Sequence, residues 1–388
     1  MASENYNARE AERQHLLQVY GQFDIEPVSA KGVHITCRDG RQILDMYGGH
    51  AVAALGYAHP DVLATLEKQA KQLFFQSNAV ALEVRATAAD KLAAFAPDPL
   101  NRVFLVNSGA EANENALRIA IKKTGRSKIL AVEHDFHGRT AAAGAVTWGA
   151  LDKWYAFPRT PFDVDFIPRD DLTAPAAMID SDTAAVIIEL VQGVAGAYDL
   201  DPEFVAAIAA ACKAQGALFI IDEVQTGVGR MGTPFAADLY ELQPDMLTTA
   251  KALGTGFPCG ALLLSEEVAA CVANGDLGTT FGGGPLACAL ISTVLDVIER
   301  DKLLDNVQTL SARLQKECLT GPVKAVSGKG FLLGLHCEGG ARPVRDALLE
   351  QGILVGTSSD PDVLRLLPPL VLRDEHVSEL VAALTRLG

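Results

Sequence analysis

Apolar and polar positions change their rhythm along the chain at about residue 101. From there, short apolar runs alternate with longer stretches of helical spacing, which is typical of βαβ units. Most of the predicted strands are apolar on consecutive residues, as strands covered on both faces of a sheet are. These strands span residues 102–106, 128–132, 185–190, 218–221, 246–248 and 261–264. The pattern predicts an α/β domain with a mostly parallel sheet between helices.

The two ends of the chain follow other patterns. Toward the N-terminus, helical spacing at 11–20 and 62–75 flanks a predicted hairpin at 33–44, whose turn is Asp39-Gly40. Beyond residue 285 the predictions are helices at 286–299 and 303–318, short strands near 330–336 and 363–367, and a final amphipathic helix at 376–387. We therefore expect a large domain at 46–284 and a smaller α+β domain at 285–388, which the N-terminal segment 1–45 joins.

Composition narrows the class of protein. A chain of 388 residues that is 49% hydrophobic and 21% charged can bury a large core, which favours one large and one smaller domain. The net charge of −15 argues against nucleic-acid binding, which needs a basic face to neutralise phosphates.

The cysteines and the apolar segments indicate the cellular compartment of the protein. The seven cysteines are scattered and never form a C-x-x-C pair, so they are interpreted as reduced thiols, with neither disulfides nor a metal site. Residues 1–13 lack the apolar core of a secretory signal, and no stretch has the apolar length of a membrane span. The sequence predicts a cytoplasmic protein without membrane or nucleic-acid partners.

Chemically capable residues follow the predicted strands. Lys251 comes after the strand at 246–248, and Asp222 directly follows the strand at 218–221. A lysine forms an imine with an aldehyde, and a buried aspartate keeps a pyridine nitrogen protonated, so the pair suits pyridoxal phosphate. Taken alone, the pair also fits a surface lysine and a helix-capping aspartate. Because ligands collect outside the carboxyl ends of strands in open α/β sheets, the two residues are expected at one sheet edge.

Three further segments add contacts for such a cofactor. Residues 107–110, Asn-Ser-Gly-Ala, join a strand to a helix whose N-terminus suits a phosphate, although for this segment alone a plain β–α turn with a serine cap is the better explanation. Phe136 offers a ring for stacking and Arg139 a guanidinium for a carboxylate, while His137 is interpreted as structural. The glycine-rich turn after Thr279 and Thr280 offers a second phosphate contact.

Taken together, these motifs resemble those of the fold-type I, class III aminotransferases, within them the acetylornithine and ornithine aminotransferase group. The similarity runs from residue 44 to residue 370 and rests on four motifs. They are Asn-Ser-Gly-Ala-Glu-Ala-Asn-Glu at 107–114, Phe-His-Gly-Arg-Thr at 136–140, Asp-Glu-Val-Gln-Thr-Gly at 222–227 and Thr-Phe-Gly-Gly at 280–283. The resemblance implies a pyridoxal-phosphate enzyme that acts as a homodimer with shared active sites.

The resemblance also implies a role for each residue of the motifs. Lys251 is the lysine that holds the cofactor, and Asp222 pairs with its pyridine nitrogen; both are the expected catalytic residues. The implied cofactor contacts are Ser108, Gly109, Ala110, Phe136, Asp222, Val224, Gln225, Lys251 and Thr280, the last toward the neighbouring subunit. The implied substrate contacts are Arg139, Thr279 and Arg365. No metal is expected.

The chain departs from this family at Val194. Relatives usually have a glutamate there, which pairs with the arginine corresponding to Arg365 and acts as a gate between terminal-amine and α-carboxylate binding. Without that partner, we expect Arg365 to be more constantly available to carboxylates and unpaired unless another anion or water satisfies it.

The expected reaction is a ping-pong transfer of an amino group from N-acetylornithine, or a related ω-amino acid, to 2-oxoglutarate. Because of Val194, the donor could instead be ornithine, succinylornithine, 4-aminobutyrate or an α-amino acid. An epimerase or aminomutase would use the same lysine, but the motif at 136–140 disfavours it. A non-catalytic scaffold would have no need for Lys251 and Asp222.

Overall fold

In the computed structural model, which describes residues 7–388, strands and helices alternate from residue 100 to residue 265. The first six residues of the predicted N-terminal segment lie outside the described part. The strands are β1 Pro27–Lys31, β2 His34–Cys37, β3 Gln42–Asp45, β4 Leu100–Val106, β5 Lys128–Val132, β6 Asp163–Ile167, β7 Thr183–Ile188, β8 Val191–Gln192, β9 Tyr198–Asp199, β10 Leu218–Asp222, β11 Met246–Thr249, β12 Gly260–Ser265, β13 Val323–Lys329, β14 Leu332–Cys337, β15 Ile353–Leu354, β16 Gly356–Thr357 and β17 Val363–Leu366.

The helices range from four to 16 residues in length. They are α1 Ala8–His15, α2 Gly48–Ala51, α3 Pro60–Gln72, α4 Glu83–Phe95, α5 Gly109–Thr124, α6 Ala141–Ala145, α7 Ala150–Lys153, α8 Ala174–Met178, α9 Pro202–Gln215, α10 Ala236–Leu239, α11 Glu266–Ala269, α12 Pro285–Arg300, α13 Leu303–Glu317, α14 Ala341–Glu350 and α15 Asp374–Thr385. A 3₁₀ turn, Lys251–Gly254, follows β11.

The central sheet has seven strands in the order β4-β12-β11-β10-β7-β5-β6. β12 runs antiparallel to both of its neighbours, and the other adjacent pairs are parallel. The predicted α/β class is therefore confirmed. Six strands end at the same edge of the sheet, and the segments that carry the candidate residues begin there.

Besides the two-stranded sheet β8-β9, two four-stranded sheets lie outside the central one. The first has the order β1-β2-β3-β15, so a strand from the C-terminal part completes the sheet begun by the N-terminal hairpin. The second has the order β13-β14-β17-β16 and carries Arg365 on β17. Through these pairings, the N-terminal segment reaches the C-terminal region.

Several elements differ from the sequence-based expectations; α4 and β1, for example, were not predicted. The helix predicted at 11–20 ends at His15, because the Gln18 side chain donates to the carbonyl oxygens of Glu12 and Leu16 and replaces the next helical turn. Strands β6 and β13 were not predicted: alternate residues of β6 are exposed, and polar residues interrupt β13.

The buried apolar residues form three clusters, and each of them includes residues of the central sheet. β7, β10, β11 and β12 are buried along their whole length, as strands covered on both faces require. All seven cysteines are free thiols, and six of them are buried. Among the helices of residues 7–388, none is long and apolar enough to cross a membrane.

Candidate active site

A cavity of about 450 Å³ lies at the carboxyl edge of the central sheet. The turn after β4, the loop after β5, the end of β10 and the turn after β11 all contribute to its walls. Residues from each are Gly109, Phe136, Asp222 and Lys251. The topology thus brings together residues that lie up to 142 positions apart in the sequence, from 109 to 251.

The N-terminus of α5 forms one end of the cavity. The Ser108 hydroxyl caps this helix by accepting from the Glu111 N–H at 3.2 Å. The first N–H groups of a helix have no acceptor within it, and those of Gly109 and Ala110 belong to residues that line the cavity. A Cβ at Gly109 would lie 2.6 Å from the Val224 methyl carbons, so only glycine fits there. This end suits an anionic group such as a phosphate.

Lys251 lies on the opposite wall, at the first residue after Ala250. Its φ of +42° is rare for a residue with a side chain and marks local strain. Burial lowers the pKa of the Lys251 amine from its ordinary 10.5; the Arg365 and Arg230 cations act in the same direction, while Asp222 and Glu189 oppose them. A lysine with a lowered pKa has more of the neutral amine that attacks an aldehyde.

Asp222 is held by three polar neighbours. Its Oδ2 accepts from Asn113 Nδ2 at 2.7 Å and lies 2.8 Å from His137 Nδ1, and its Oδ1 accepts from the Val224 N–H at 2.9 Å. The Thr248 hydroxyl donates to Asn113 Oδ1 at 2.6 Å and fixes the orientation of that amide. The carboxylate therefore has a fixed position in the cavity wall.

His137 lies between two buried carboxylates. Its Nε2 is 3.5 Å from Asp135 Oδ2, on the side opposite Asp222. Burial alone would lower its pKa, but the Asp135 and Asp222 carboxylates raise the pKa of His137 to about 10. The imidazolium thus balances the negative charge behind Asp222, in agreement with the structural role expected for His137.

Glu189 adds a third buried carboxylate to this wall. Its Oε2 accepts from the Phe136 N–H at 2.8 Å, and this bond fixes the loop that carries the aromatic ring. Burial, with the neighbouring Asp135 and Asp222 carboxylates, raises the pKa of Glu189.

Arg139 lies at the open side of the cavity. Its guanidinium carbon is 4.5 Å from the Trp154 ring centroid and 5.9 Å from that of Phe136. Stacking on aromatic faces orients the guanidinium and leaves its N–H groups available for a carboxylate.

Arg365 is almost completely buried and is bonded to neutral oxygens. Nε donates to the Thr357 carbonyl at 2.6 Å and Nη1 to the Gly193 carbonyl at 3.1 Å, with Gln225 Oε1 at 3.4 Å. Nη2 donates to the Tyr47 hydroxyl at 3.2 Å. The expectation that Arg365 is unpaired unless an anion or water satisfies it was therefore wrong: four neutral protein oxygens satisfy it, and none of them was recognised as a partner in the sequence.

Three further residues were expected at the site: Thr279 as a substrate contact, and Thr280 and Gln225 as cofactor contacts. Thr279 Oγ1 accepts from Asn107 Nδ2 and from the Gly282 N–H, both at 3.1 Å, so within this chain it holds the glycine-rich turn. Thr280 is exposed on the surface. Gln225 lines the cavity, but its carbonyl oxygen points toward Arg365 and packs closely on Gly193.

Four residues of the site were not singled out from the sequence for the roles they have in the structure. Asn113 and Thr248 fix Asp222, Glu189 fixes the aromatic loop, and Tyr47 contacts Arg365. Asn113 lies on the same face of α5 as Gly109, four residues earlier, and this helical spacing was the one available signal.

The chain matches the family described as aminotransferase class-III over residues 18–387. It is 38% identical to an acetylornithine aminotransferase of Bacillus subtilis, over 95% of this chain and 96% of that one. Its fold is similar to that of a solved Toxoplasma gondii ornithine aminotransferase with pyridoxal phosphate at its active site (TM-score 0.91, 29% identity, 98% and 92% of the two chains). It is also similar to an acetylornithine aminotransferase of Elizabethkingia anophelis (TM-score 0.87, 29% identity, 98% and 97%).

This chain belongs to the class-III aminotransferases, the family that its motifs resemble. It is an aminotransferase that depends on pyridoxal phosphate. The cavity fits that cofactor on independent grounds: the N-terminus of α5, at Gly109 and Ala110, lines the cavity and suits a phosphate, the amine of Lys251 is buried with a lowered pKa, and Asp222 is fixed in the same cavity.

Proposed function

We propose that the protein transfers the amino group of N-acetylornithine, or of a related ω-amino acid, to 2-oxoglutarate by a ping-pong reaction. The observation that carries this proposal is the burial of Lys251 in the same cavity as a fixed Asp222, together with an anion-binding helix end and an accessible arginine. The relatives from B. subtilis and E. anophelis carry the name acetylornithine aminotransferase, which supports the choice of donor.

Each residue of the cavity has a part in the proposed reaction. Pyridoxal phosphate supplies an aldehyde for amines and a ring that withdraws electrons. Lys251 Nζ would hold the cofactor and would move the proton at the amine-bearing carbon of the substrate. Asp222 would stabilise positive charge on the pyridine nitrogen, and Val224 and Phe136 would hold the ring by apolar packing.

The remaining contacts concern the phosphate and the substrate. Ser108, Gly109 and Ala110 bind the phosphate through the N-terminus of α5. Arg139 binds the carboxylate of the amino donor, and Thr279 is a second proposed substrate contact. Arg365 receives the carboxylate of the 2-oxo acid in the second half of the reaction.

The choice of donor depends on Arg365, because only neutral oxygens surround it. A carboxylate at position 194 would bind the guanidinium much more strongly than these neutral acceptors do. Val194 therefore leaves Arg365 more available to carboxylates, and this favours broader use of donors such as ornithine, 4-aminobutyrate or α-amino acids.

A homodimer completes the proposed site. Phe74, Phe75 and Phe281 are exposed and line an apolar groove of about 390 Å³. That groove shares Asn107, Phe257 and Pro258 with the cavity that holds Lys251, so a surface that covers the groove also closes the cavity. A second copy would bring its exposed Thr280 to the phosphate end. Exposed apolar patches of this kind mark interaction sites.

The test of the donor is a purified-enzyme screen. N-Acetylornithine, ornithine, succinylornithine and 4-aminobutyrate are each paired with 2-oxoglutarate or pyruvate, and kcat/KM is measured for formation of the new amino acid. We expect the highest value for N-acetylornithine with 2-oxoglutarate. A higher value for another donor would replace N-acetylornithine, and the absence of transfer from all of them would reject the proposal.

The test of the dimer is the mass in solution. Phe75→Asp places a charge in the groove and should shift the protein toward the mass of one chain and weaken cofactor binding. Leu319→Asp, at an exposed leucine outside the groove, is the matched control and should leave the mass unchanged. Equal masses for both variants and the parent protein would argue against this interface.

A further inference from the structure

The turn Gly48–Ala51 has an unusual backbone beside the substrate end of the site. All four residues have positive φ, from +55° to +67°, and two of them, His50 and Ala51, have side chains. Left-handed conformation costs about 1–2 kcal/mol for each residue with a Cβ. Such strain persists where surrounding contacts impose it, and it is concentrated at functional sites.

Buried contacts hold this turn in place. Asp45 Oδ1 accepts from the Tyr47 N–H at 2.8 Å and the Gly48 N–H at 2.9 Å, and its Oδ2 accepts from the Tyr57 hydroxyl at 2.5 Å. A Cβ at Gly356 would lie 1.9 Å from the Tyr47 ring, so that ring rests directly on the strand beside Arg365. The Tyr47 hydroxyl is thereby fixed between two partners.

Those two partners are His50 and Arg365. The Tyr47 oxygen is 2.6 Å from His50 Nδ1 and accepts from Arg365 Nη2 at 3.2 Å. Burial, followed by the Arg365 and Lys251 cations, lowers the pKa of His50, so its ring is neutral near pH 7 and Nδ1 can accept. When the imidazole proton is on Nε2, the single proton of Tyr47 is bonded to His50 Nδ1, and only lone pairs of the Tyr47 oxygen face Arg365.

The hydrogen bonds of Arg365 leave little room for a ligand. A guanidinium has five N–H donors, and four acceptors already surround this one. A carboxylate binds arginine best through two parallel bonds, so it must displace at least one acceptor. The carbonyls of Thr357 and Gly193 are part of the backbone. The Tyr47 hydroxyl is a side-chain acceptor. When a ligand displaces it from Arg365, it keeps its hydrogen bond with His50.

We propose that Tyr47, with its proton held by His50, is a built-in competitor for substrate carboxylates at Arg365 and thereby determines how readily a carboxylate enters this end of the site. The inference rests on the proposed function, in which Arg365 receives a carboxylate. His50 and Tyr47 are positioning residues: they act through Arg365, and the strained turn fixes the distance between them.

The test uses glutarate, a dicarboxylate with no amine or carbonyl, so that binding is measured without reaction. Calorimetric titration of the cofactor-loaded enzyme gives its Kd. Tyr47→Phe leaves an Arg365 N–H without its resting acceptor, and glutarate can satisfy that donor. We therefore expect glutarate to bind about tenfold more tightly to this variant. Unchanged or weaker binding would overturn the inference, since it would make Tyr47 a bystander or a ligand-binding group.

Two variants at position 50 test whether the group that accepts the Tyr47 proton matters. His50→Gly and His50→Asn both tolerate positive φ, but only asparagine offers an acceptor oxygen. We expect about threefold tighter glutarate binding for His50→Gly, because the freed Tyr47 proton can bond to the carboxylate, and an affinity for His50→Asn close to that of the parent. Equal effects of both variants would contradict the role of His50.

Turnover measured separately distinguishes this inference from the proposed function. Suppose that Tyr47→Phe binds glutarate more tightly but the parent enzyme transfers no amino group to 2-oxoglutarate. This result would support Tyr47 as a competitor at Arg365 and would reject 2-oxoglutarate as the amino-group acceptor. If neither the parent nor Tyr47→Phe binds glutarate, Arg365 has no carboxylate site and the inference fails, whatever the turnover.

Discussion

The two ends of the active site balance their charges in different ways. Around Lys251, charged groups face one another: Asp222 contacts His137, which lies between two carboxylates, and Glu189 is close by. Around Arg365, the oxygens within hydrogen-bonding distance are neutral and belong to Thr357, Gly193, Gln225 and Tyr47. Hereafter these are the lysine end and the arginine end.

This difference assigns the chemistry of the reaction to the lysine end and the selectivity for substrates to the arginine end. A network of opposite charges in a buried wall is costly to alter, because removal of one member leaves another charge uncompensated. Neutral acceptors exchange with a ligand at much lower cost. The lysine end is therefore built for one reaction, whereas the arginine end can be tuned to different substrates.

The largest expected effect is at the lysine end. Lys251→Ala removes both the amine that holds the cofactor and the group that moves the substrate proton. We expect the steady-state rate to fall by more than about 10⁴-fold. Lys153→Ala, at a surface lysine, is the control and should retain full activity. Near-normal turnover of the Lys251 variant would remove the central claim.

The second effect tests the charge balance behind Asp222. His137→Asn removes the cation between two buried carboxylates and should lower the free energy of unfolding by about 3 kcal/mol at pH 7. His134→Asn, at an exposed position in the same loop, is the control. Similar losses from both variants would mean that the position in the loop, and not the charge, decides the result.

The same pair has a defined pH dependence. The pKa of His137 is raised from 6.5 to about 10, so its stabilisation is complete below about pH 6.5 and is lost as the pH rises through about 10. Denaturant unfolding of the parent should therefore show a loss of stability between pH 7 and pH 10 that the His137 variant lacks. Parallel curves would contradict the raised pKa.

The third effect is at the N-terminus of α5, which we propose binds the phosphate at the lysine end. In Gly109→Ala the new methyl group would lie 2.6 Å from the Val224 methyls, and Val224 would have to move toward the cofactor. We expect the Kd for pyridoxal phosphate to rise about tenfold. Gly21→Ala is the control, because nothing lies within 4 Å of a Cβ there. An unchanged Kd would show that α5 and Val224 adjust without affecting the cofactor.

The lysine end could be predicted from the sequence because its residues follow strands. Parallel strands end at one edge of a sheet, so Asp222 and Lys251 were expected together once their strands were recognised. The fold class followed from the same apolar runs. Asn113 was not recognised as a partner of Asp222, because its side chain meets the carboxylate only after α5 packs on β10.

The arginine end could not be predicted in the same way. Its acceptors come from residues 47, 193, 225 and 357, on elements that meet only when the C-terminal sheet packs against the large one. Two of them are backbone carbonyls, which every residue has and which no sequence pattern marks. The absence of a carboxylate at Val194 could be read from the sequence; the neutral oxygens that replace it could not.

The smallest effect tests whether a charge can be restored at the arginine end. Val194 is next to Gly193, whose carbonyl accepts from Arg365, so the side chain in Val194→Glu can reach the guanidinium. A carboxylate there would compete with glutamate for Arg365 and should raise the ratio of kcat/KM for N-acetylornithine to that for glutamate about fivefold. Val194→Gln has the same length without the charge and should change the ratio much less. If both variants gave the parental ratio, the neutral surroundings of Arg365 would not be what sets its selectivity.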